Sequence, residues 1–552
     1  MRRLLKITGY ILLIIVVVLS GTFIYLMAVS RVNPPVPEST ASLDLSRHQL
    51  DSNCYVIGNN WLRKSKSGLW EMYIEGKPFE RGVINGLLAK ELIHEQEVAF
   101  SEQINKLVPS SFYRNFLKYF IGWFNRDLEN HIPEEYKLEI YGVSKSASHE
   151  FDYIGTPYQR LMNYHAAHDI GHALQNLALV GCSSFATWND KSSGNRLLIG
   201  RNFDFFVGDQ FAENKIIQFV KPEKGYPFMM VTWGGMTGVV SGMNMQGLTI
   251  TLNAAKSDIP SGSATPISIL AREILQYAKN IDEAVAIAGS RKTFVSESFL
   301  LGSALDNKAV TLEITPDTLT VYDPEKDYII CTNHYKSEFL GKSESNRIQM
   351  DESASVYRYE RLSQLLDTLS FNTPEKTAAI LRDKSGKNNT FIGLGNEKAI
   401  NQLIAHHAII FEPSSGKVWV SSNPWQLGAF SCYDLKSIFS MNGLNQNMEL
   451  SDSMETIPAD SFLFSQAYTD FVAFRELKNK IVNGETVDTD KLIRLNPGYY
   501  HSYVLAGDYM YEKKSYTKAK VYYESALRHE IATRIEEKYI IEQIRKCNEK
   551  IS

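Results

Sequence analysis

Gly181-Cys182-Ser183-Ser184 is the stretch of this chain whose residue types most directly suggest chemistry. A cysteine directly after glycine is a thiol and, if the bond before it is broken, also a free α-amine. A typical α-amine titrates at about 7.7–8.0 and a free cysteine at about 8.5. Such an amine can take the thiol proton near neutral pH and return it to a leaving amine, so nucleophile and general base share one residue. Glycine ahead of Cys182 leaves room for the thiol to reach the Gly181 carbonyl, which is how the cut would make itself. The competing reading is a small inert core residue, the usual state of a free cysteine in a strand.

Other residues join this pattern. Arg201 and Asp204 lie three apart in "GRNFDF", on the next expected strand across the polar turn "NDKSSGN". A guanidinium there would lower a thiolate's pKa, and a carboxylate would hold an ammonium. The plain alternative is a surface ion pair. Asn253 ("TLNAA") and Asn333 ("CTNHY") fall at strand ends. Their N–H groups suit an oxyanion, although asparagine at a strand end is also a common turn former.

A second chemistry is offered by "NYHAAHDIGHAL". His165, His168 and His172 share one helix face at i, i+3 and i+7, and three imidazoles could ligate zinc, with Asp169 nearby. The motif is not HExxH, and its plain reading is a polar helix face against the body. His406-His407 opens a strand and reads as structural. "GGMTGVVSG" has neither GxGxxG nor a phosphate-loop lysine, so no nucleotide site is expected.

The elements that must position these residues follow from the whole chain. Its 552 residues suggest roughly three domains. The net charge of −4, without a long basic run, argues against nucleic acid as a partner. Five scattered cysteines with no CxxC fit neither a zinc ribbon nor a disulfide framework. Arg2, Arg3 and Lys6 precede a charge-free stretch, residues 7–30. As a helix it would span roughly 36 Å at about 1.5 Å per residue, enough to cross a bilayer. The basic flank should stay cytoplasmic, which puts the rest on the periplasmic or extracellular side. A cleaved signal peptide ending near Ala28-Val29-Ser30 is the alternative. Signal h-regions are about 7–15 residues, so the longer stretch favours an uncleaved anchor.

"RVNPPVPEST" reads as a Pro-rich linker, and helical periodicity dominates until Gly181. From Cys182 the order is strands, helices, strands, helices, strands. It predicts two antiparallel sheets with helices on their outer faces, an α+β architecture. Strand signals end after about residue 450. There Gly507, Ala519, Tyr523 and Ala526 follow Leu495-Asn496-Pro497 at the spacing of one tetratricopeptide (TPR) helix pair. One copy cannot bury a solenoid core, so it should pack on its neighbours or on a protein partner.

The ordered set "GCSSFATWN…GRNFDF…GMNMQGLTITLN…CTNHY…YRYERL" resembles the N-terminal-nucleophile (Ntn) hydrolases. It is most similar to the penicillin acyltransferase (acyl-CoA:6-aminopenicillanate acyltransferase) family and the related choloylglycine hydrolases, over roughly residues 75–435. The resemblance implies a four-layer αββα sandwich, self-cleavage between Gly181 and Cys182, and Cys182 as nucleophile. It implies Arg201 and Asp204 flanking Cys182, Asn253 and Asn333 as oxyanion hole, and Arg358, the first arginine of "RYER", supporting the site. Arg361 is a lesser candidate.

The expected organisation is a membrane anchor or signal (1–30), a linker leading into the fold (31–74), a helical pro-segment (75–181), a catalytic domain (182–435) and a C-terminal helical TPR-like domain (450–552). The expected activity is hydrolysis or acyl transfer at a linear amide or N-acyl compound through a thioester, with an acyl donor as a further partner and no cofactor or metal. A zinc amidase on the histidine helix and a non-catalytic scaffold using the C-terminal helices are the alternatives.

Overall fold

The computed structural model describes residues 2–174, 181–206, 208–256 and 262–551. Its strands, in chain order, begin with β1 (His48–Asp51), β2 (Cys54–Ile57), β3 (Asn60–Lys64), β4 (Trp70–Gly76), β5 (Ser183–Thr187) and β6 (Leu198–Phe203). They continue with β7 (Ile216–Pro222), β8 (Phe228–Thr232), β9 (Ser241–Asn244), β10 (Leu248–Ala254), β11 (Glu297–Ser303) and β12 (Lys308–Ile314). The last are β13 (Leu319–Tyr322), β14 (Tyr328–Cys331), β15 (His407–Glu412), β16 (Lys417–Ser421), β17 (Phe430–Asp434) and β18 (Ser451–Ile457). They form two sheets. The larger runs β1-β2-β3-β4-β7-β8-β9-β10-β11-β12-β13, and the smaller runs β14-β5-β6-β15-β16-β17-β18.

The helices are α1 (Arg2–Val29), α2 (Pro78–Leu88), α3 (Lys90–Leu107), α4 (Ser111–Phe124), α5 (Glu134–Ser144), α6 (Pro157–Leu174), α7 (Asp209–Glu213), α8 (Ile267–Tyr277) and α9 (Ile281–Gly289). After them come α10 (Glu344–Glu352), α11 (Ser355–Thr368), α12 (Pro374–Leu381), α13 (Leu435–Ser440), α14 (Gln466–Val482), α15 (Thr489–Leu495), α16 (Tyr500–Glu512), α17 (Tyr516–Ala526) and α18 (Arg534–Ile551).

Alternation of side chains along the strands sorts the core. On β7, Ile217 and Phe219 pack toward the smaller sheet, where they meet Ile199, Ile409, Phe411 and Val420. Ile216 and Val220 point the other way and join Ile84 and Leu88 of α2, Ile140 of α5, and Leu270 and Ile274 of α8. On the far side of the smaller sheet, Phe185, Ala408 and Ile410 pack with Leu362 and Leu366 of α11 and Leu381 of α12. Strands buried on both faces read as near-continuous apolar runs, which is why "KIIQFVKP" and "HHAIIFEP" were recognisable.

Three expectations are corrected. The segment taken as a linker leading into the fold supplies β1 to β4, a third of the way across the larger sheet. The sheets are not wholly antiparallel, because β4 pairs with β7 in parallel, from Trp70↔Ile216 to Gly76↔Pro222. Strand structure also continues past residue 450, where β18 pairs with β17.

The C-terminal helices share their own core of Phe471, Phe474, Leu492, Tyr500, Ala519 and Tyr523. A Cβ on Gly507 would meet the Tyr523 ring at 2.6 Å, so glycine permits the close approach of α16 and α17. Asn496 ties this unit to the body: its Nδ2 donates to Leu394 O at 2.8 Å and its Oδ1 accepts from Leu394 N at 3.0 Å. At the other end, Lys6–Val29 has a mean hydropathy of 2.7 and none of it is buried. This apolar helix could serve as a membrane anchor or a signal sequence. Its Phe23 ring meets Tyr119 of α4 edge-on at 5.1 Å.

Candidate active site

Cys182 is buried immediately before β5. Polar residues with positive φ, Asn189 (46°), Gly194 (65°) and Asn195 (57°), turn the chain back into β6. The antiparallel register pairs Ser183 with Asn202 and Ser184 with Arg201. Arg201 Nη2 thereby comes to 3.8 Å from Cys182 Sγ, donating toward it. The guanidinium is fixed in place: Nη1 donates to Val240 O at 3.1 Å and to Ser241 Oγ, and Nη2 donates to Leu252 O at 2.5 Å. Ser241 Oγ also meets His407 Nε2 at 2.8 Å, and His407 Nδ1 lies 2.8 Å from His406 Nδ1. Burial pushes both imidazoles well below the usual histidine range, so they are neutral props for Arg201.

Asp204 directly follows β6. Both carboxylate oxygens are buried without a hydrogen-bond partner among the described residues. Burial raises its pKa to about 7, against the pull of Arg358 and Arg201. Burial likewise pushes the Cys182 thiol up to about 11; Arg201 opposes this, and Asp204 adds to it. In the continuous chain the thiol is therefore protonated at neutral pH.

Arg358 comes from α11. Ser355, Arg358, Arg361, Leu362 and Leu366 form its buried face, so the side that packs on the smaller sheet also carries Arg358 to the site. Arg358 Nη1 donates to Cys182 O at 2.6 Å and to Ser183 Oγ at 2.9 Å. Its Nη2 donates to Asn333 Oδ1 at 2.7 Å. Burial lowers its pKa to about 10, opposed by Asp204 and Cys182. Arg361 is turned away, binding Asp383 Oδ2 at 2.7 Å and Asn389 Oδ1 at 2.7 Å.

The two asparagines differ. Asn333 Nδ2 donates to Ala254 O at 2.9 Å, and the residue lines a cavity beside Gly181 and Arg358. Asn253 bridges strands instead: Nδ2 donates to Cys331 O at 3.0 Å and Oδ1 accepts from Ser184 Oγ at 2.7 Å. Each amide retains a second N–H for another acceptor.

The cavity has a volume of about 360 Å³. Its walls combine Gly181, Asn333, Arg358 and Gln402 with Phe471, Phe474 and Lys478 of α14. Glu397 also lines it, with its pKa raised to about 7 by burial and then by the Glu536 carboxylate. The C-terminal helices are thus one wall of the cavity. Gln402 was not foreseen, and no local motif marks it; its Nε2 donates to Gly181 O at 2.8 Å. Ser241, which braces Arg201, was also missed, since a lone serine in a strand carries no signal.

The histidine helix does not offer His165 to a metal. Its Nδ1 meets Leu161 O at 2.7 Å, and its Nε2 accepts from Thr237 N at 2.9 Å. Burial lowers its pKa to about 4. The side chains of His168, Asp169 and His172 lie outside the described residues.

A thiol gathered with two guanidiniums, a carboxylate and amide donors is the equipment of acyl-transfer chemistry. Residues 188–424 match the family model described as acyl-coenzyme A:6-aminopenicillanic acid acyl-transferase. The resemblance read from the motifs is shown over that segment, which includes Arg201, Asp204, Asn253, Asn333, Arg358 and Gln402, and begins just after Cys182. The chain is 23% identical over 400 residues to an uncharacterized protein of Archaeoglobus fulgidus, covering 65% of each. It is 21% identical over 276 residues to protein dcd1B of Dictyostelium discoideum, covering 47% of this chain and 52% of that one. The chain therefore spans about half to two thirds of the length of these relatives. A similar solved structure is the Caenorhabditis elegans N-acylethanolamine-hydrolyzing acid amidase ortholog, 17% identical with a TM-score of 0.30, covering 42% of this chain and 93% of that one. Another is the conjugated bile acid hydrolase of Clostridium perfringens, 13% identical with a TM-score of 0.29, covering 49% and 95%.

Proposed function

We propose that this protein is a self-cleaving N-terminal-cysteine amidohydrolase or acyltransferase acting on linear amides. The observation that carries the reading is the convergence of Arg201, Asp204 and Arg358 on Cys182, in a chain whose central segment matches an acyltransferase family. The layers of helix and sheet are then an αββα sandwich. Residues 75–181 act as pro-segment, 182–435 as catalytic domain and 450–552 as a TPR-like cap, with β1 to β4 as a lead-in that belongs to the catalytic body. Residues 7–30 anchor the whole to a membrane, on the periplasmic or extracellular side.

In the first step, Cys182 Sγ attacks the Gly181 carbonyl carbon. An S–C bond forms, the Gly181–Cys182 C–N bond breaks, and the thiol proton ends on the freed nitrogen. Asp204, which titrates near neutrality, is suited to relay that proton. Water then hydrolyses the thioester and leaves a Gly181 carboxylate and a free Cys182 thiol. The new ammonium faces the unpartnered Asp204 carboxylate, which would hold it.

In turnover, the α-amine takes the thiol proton, the thiolate attacks the substrate amide carbon, and the protonated amine gives the proton to the departing nitrogen. Asn333, and Asn253 behind it, supply N–H donors to the oxyanion. Arg358 holds the Cys182 carbonyl and orients Asn333. Water or a second amine resolves the thioester. The phenyl rings of Phe471 and Phe474 favour an apolar acyl group in the cavity. Incubation with a panel of N-acyl amides tests this: an acyl adduct on the chain beginning at Cys182 is expected by mass. Turnover that persists in Cys182→Ala would sink the reading.

A further inference from the structure

Gln402 stands 221 residues from Gly181 in sequence and belongs to no motif, yet it touches the carbonyl of the bond that the proposed function requires to break. Its Nε2 donates to the Gly181 carbonyl oxygen at 2.8 Å. Only the N–H end of an amide can meet a carbonyl in this way. This oxygen would become an oxyanion when Cys182 Sγ adds to the Gly181 carbon. The peptide groups on either side are also held, because Gly181 N donates to Asp204 O at 3.0 Å and Arg358 Nη1 donates to Cys182 O at 2.6 Å. The three bonds fix both flanks of the peptide, but only the Gln402 bond falls on the reacting carbonyl.

Two further observations show that the contact is built. A Cβ on Gly181 would come to 2.4 Å from Gln402 Nε2, so a larger residue there would displace the Gln402 amide from its place on the carbonyl. Next to Gln402, buried Leu403 adopts φ 56°, a left-handed backbone that leucine seldom takes. Asn401 secures it: its Oδ1 accepts from Leu403 N at 3.0 Å, and its own N donates to Asp383 O at 2.8 Å. Strain of this kind persists where the surroundings over-determine it, commonly beside a functional group.

We infer that Gln402 is a catalytic residue of self-cleavage, donating from Nε2 to the oxyanion that forms on Gly181 O. The inference rests on the self-cleavage reading above. It gives the chain's own peptide a donor distinct from Asn333, although both side chains line the same cavity. It also gives Gly181 a second reason to be glycine besides access for the thiol.

The test follows cutting of the full-length chain by intact mass over time after cell-free synthesis. Loss of one oxyanion donor typically costs about 100-fold or more in rate, and that slowing is expected for Gln402→Ala and for Gln402→Met, which keeps the length but cannot donate. Gln402→Glu carries a pH signature. Its carboxylate cannot donate, but its acid form can, so the ratio of its cutting rate to wild type should rise as the reaction is moved from about pH 8 to about pH 5. A merely structural role would leave that ratio flat, and this arm still decides if Gln402→Ala fails to fold. Gly181→Ala should slow the wild-type chain more than it slows the Gln402→Ala chain, where the added methyl has space. Cutting of Gln402→Ala and Gln402→Met at the wild-type rate, or a flat ratio for Gln402→Glu, overturns the role of Gln402 and leaves self-cleavage standing. A wild-type chain that stays uncut overturns self-cleavage itself.

Discussion

Cys182, Arg201 and Asp204 stood out in sequence because a short hairpin brings them together, and strand pairing over so short a loop is legible from residue type. Arg358 was found only through resemblance, since helical spacing shows that it is buried but not what it meets. Its role differs from that of Arg361, three residues on. Arg358→Lys loses one of two donating arms, and both self-cleavage and amide turnover should fall by about 100-fold, the usual cost of disordering an oxyanion site. Arg361→Lys should cost stability through Asp383 and leave cutting near wild type; equal slowing of both variants in a mass-based time course would refute the assignment. Asp204 gives a pH prediction. In the folded, uncut chain it keeps its proton to about pH 7, whereas an unfolded chain releases it near its ordinary value of 3.8. Between those values the folded state binds more protons, so rising pH removes stability through this window. In the Cys182→Ala background, Asp204→Asn lacks this titration. Its melting temperature relative to the Asp204 parent should rise from about pH 4 to about pH 7. Identical pH dependence in the two chains would contradict the raised pKa.

At the scale of elements, the strands from β5 onward were legible because burial on both faces leaves uninterrupted apolar runs between polar turns. β1 to β4 were not, because their short strands follow a Pro-rich linker and one of them finds its parallel partner, β7, well over a hundred residues later. The helix pair α16–α17 was legible from small residues at fixed spacing, but the place of α14 against the cavity was not, since docking surfaces carry no period. Two substitutions separate packing from function here. Gly507→Val would drive a side chain into the Tyr523 ring, and overpacking of that sort costs about 1–3 kcal/mol, readable as a lowered melting temperature. Phe474→Ala removes part of the cavity wall and should raise KM for an apolar N-acyl substrate several-fold, with self-cleavage unchanged. An unaltered KM would show that α14 does not meet substrate.

At the scale of the whole molecule, the Gly181–Cys182 bond lies inside one body. The parallel β4–β7 ladder joins the two sides of the proposed cut, as does the ion pair between Glu139 Oε2 and Arg272 Nη2 at 3.2 Å. His165 adds a buried hydrogen bond to Thr237 N from the same side as Glu139. The cut should therefore release no domain. Gel filtration of the mature protein in native detergent buffer should give both pieces in one peak, separable only by denaturant. Two peaks under native conditions would mean that the segment before Cys182 is a removable pro-peptide.

The central claim is that the chain cuts itself to free Cys182, and N-terminal sequencing with intact mass of wild type and Cys182→Ala tests it most directly. The account predicts a wild-type piece beginning Cys-Ser-Ser and a Cys182→Ala chain left whole at that bond. A wild-type protein that hydrolyses amides uncut, or a Cys182→Ala chain cut after Gly181, would contradict it.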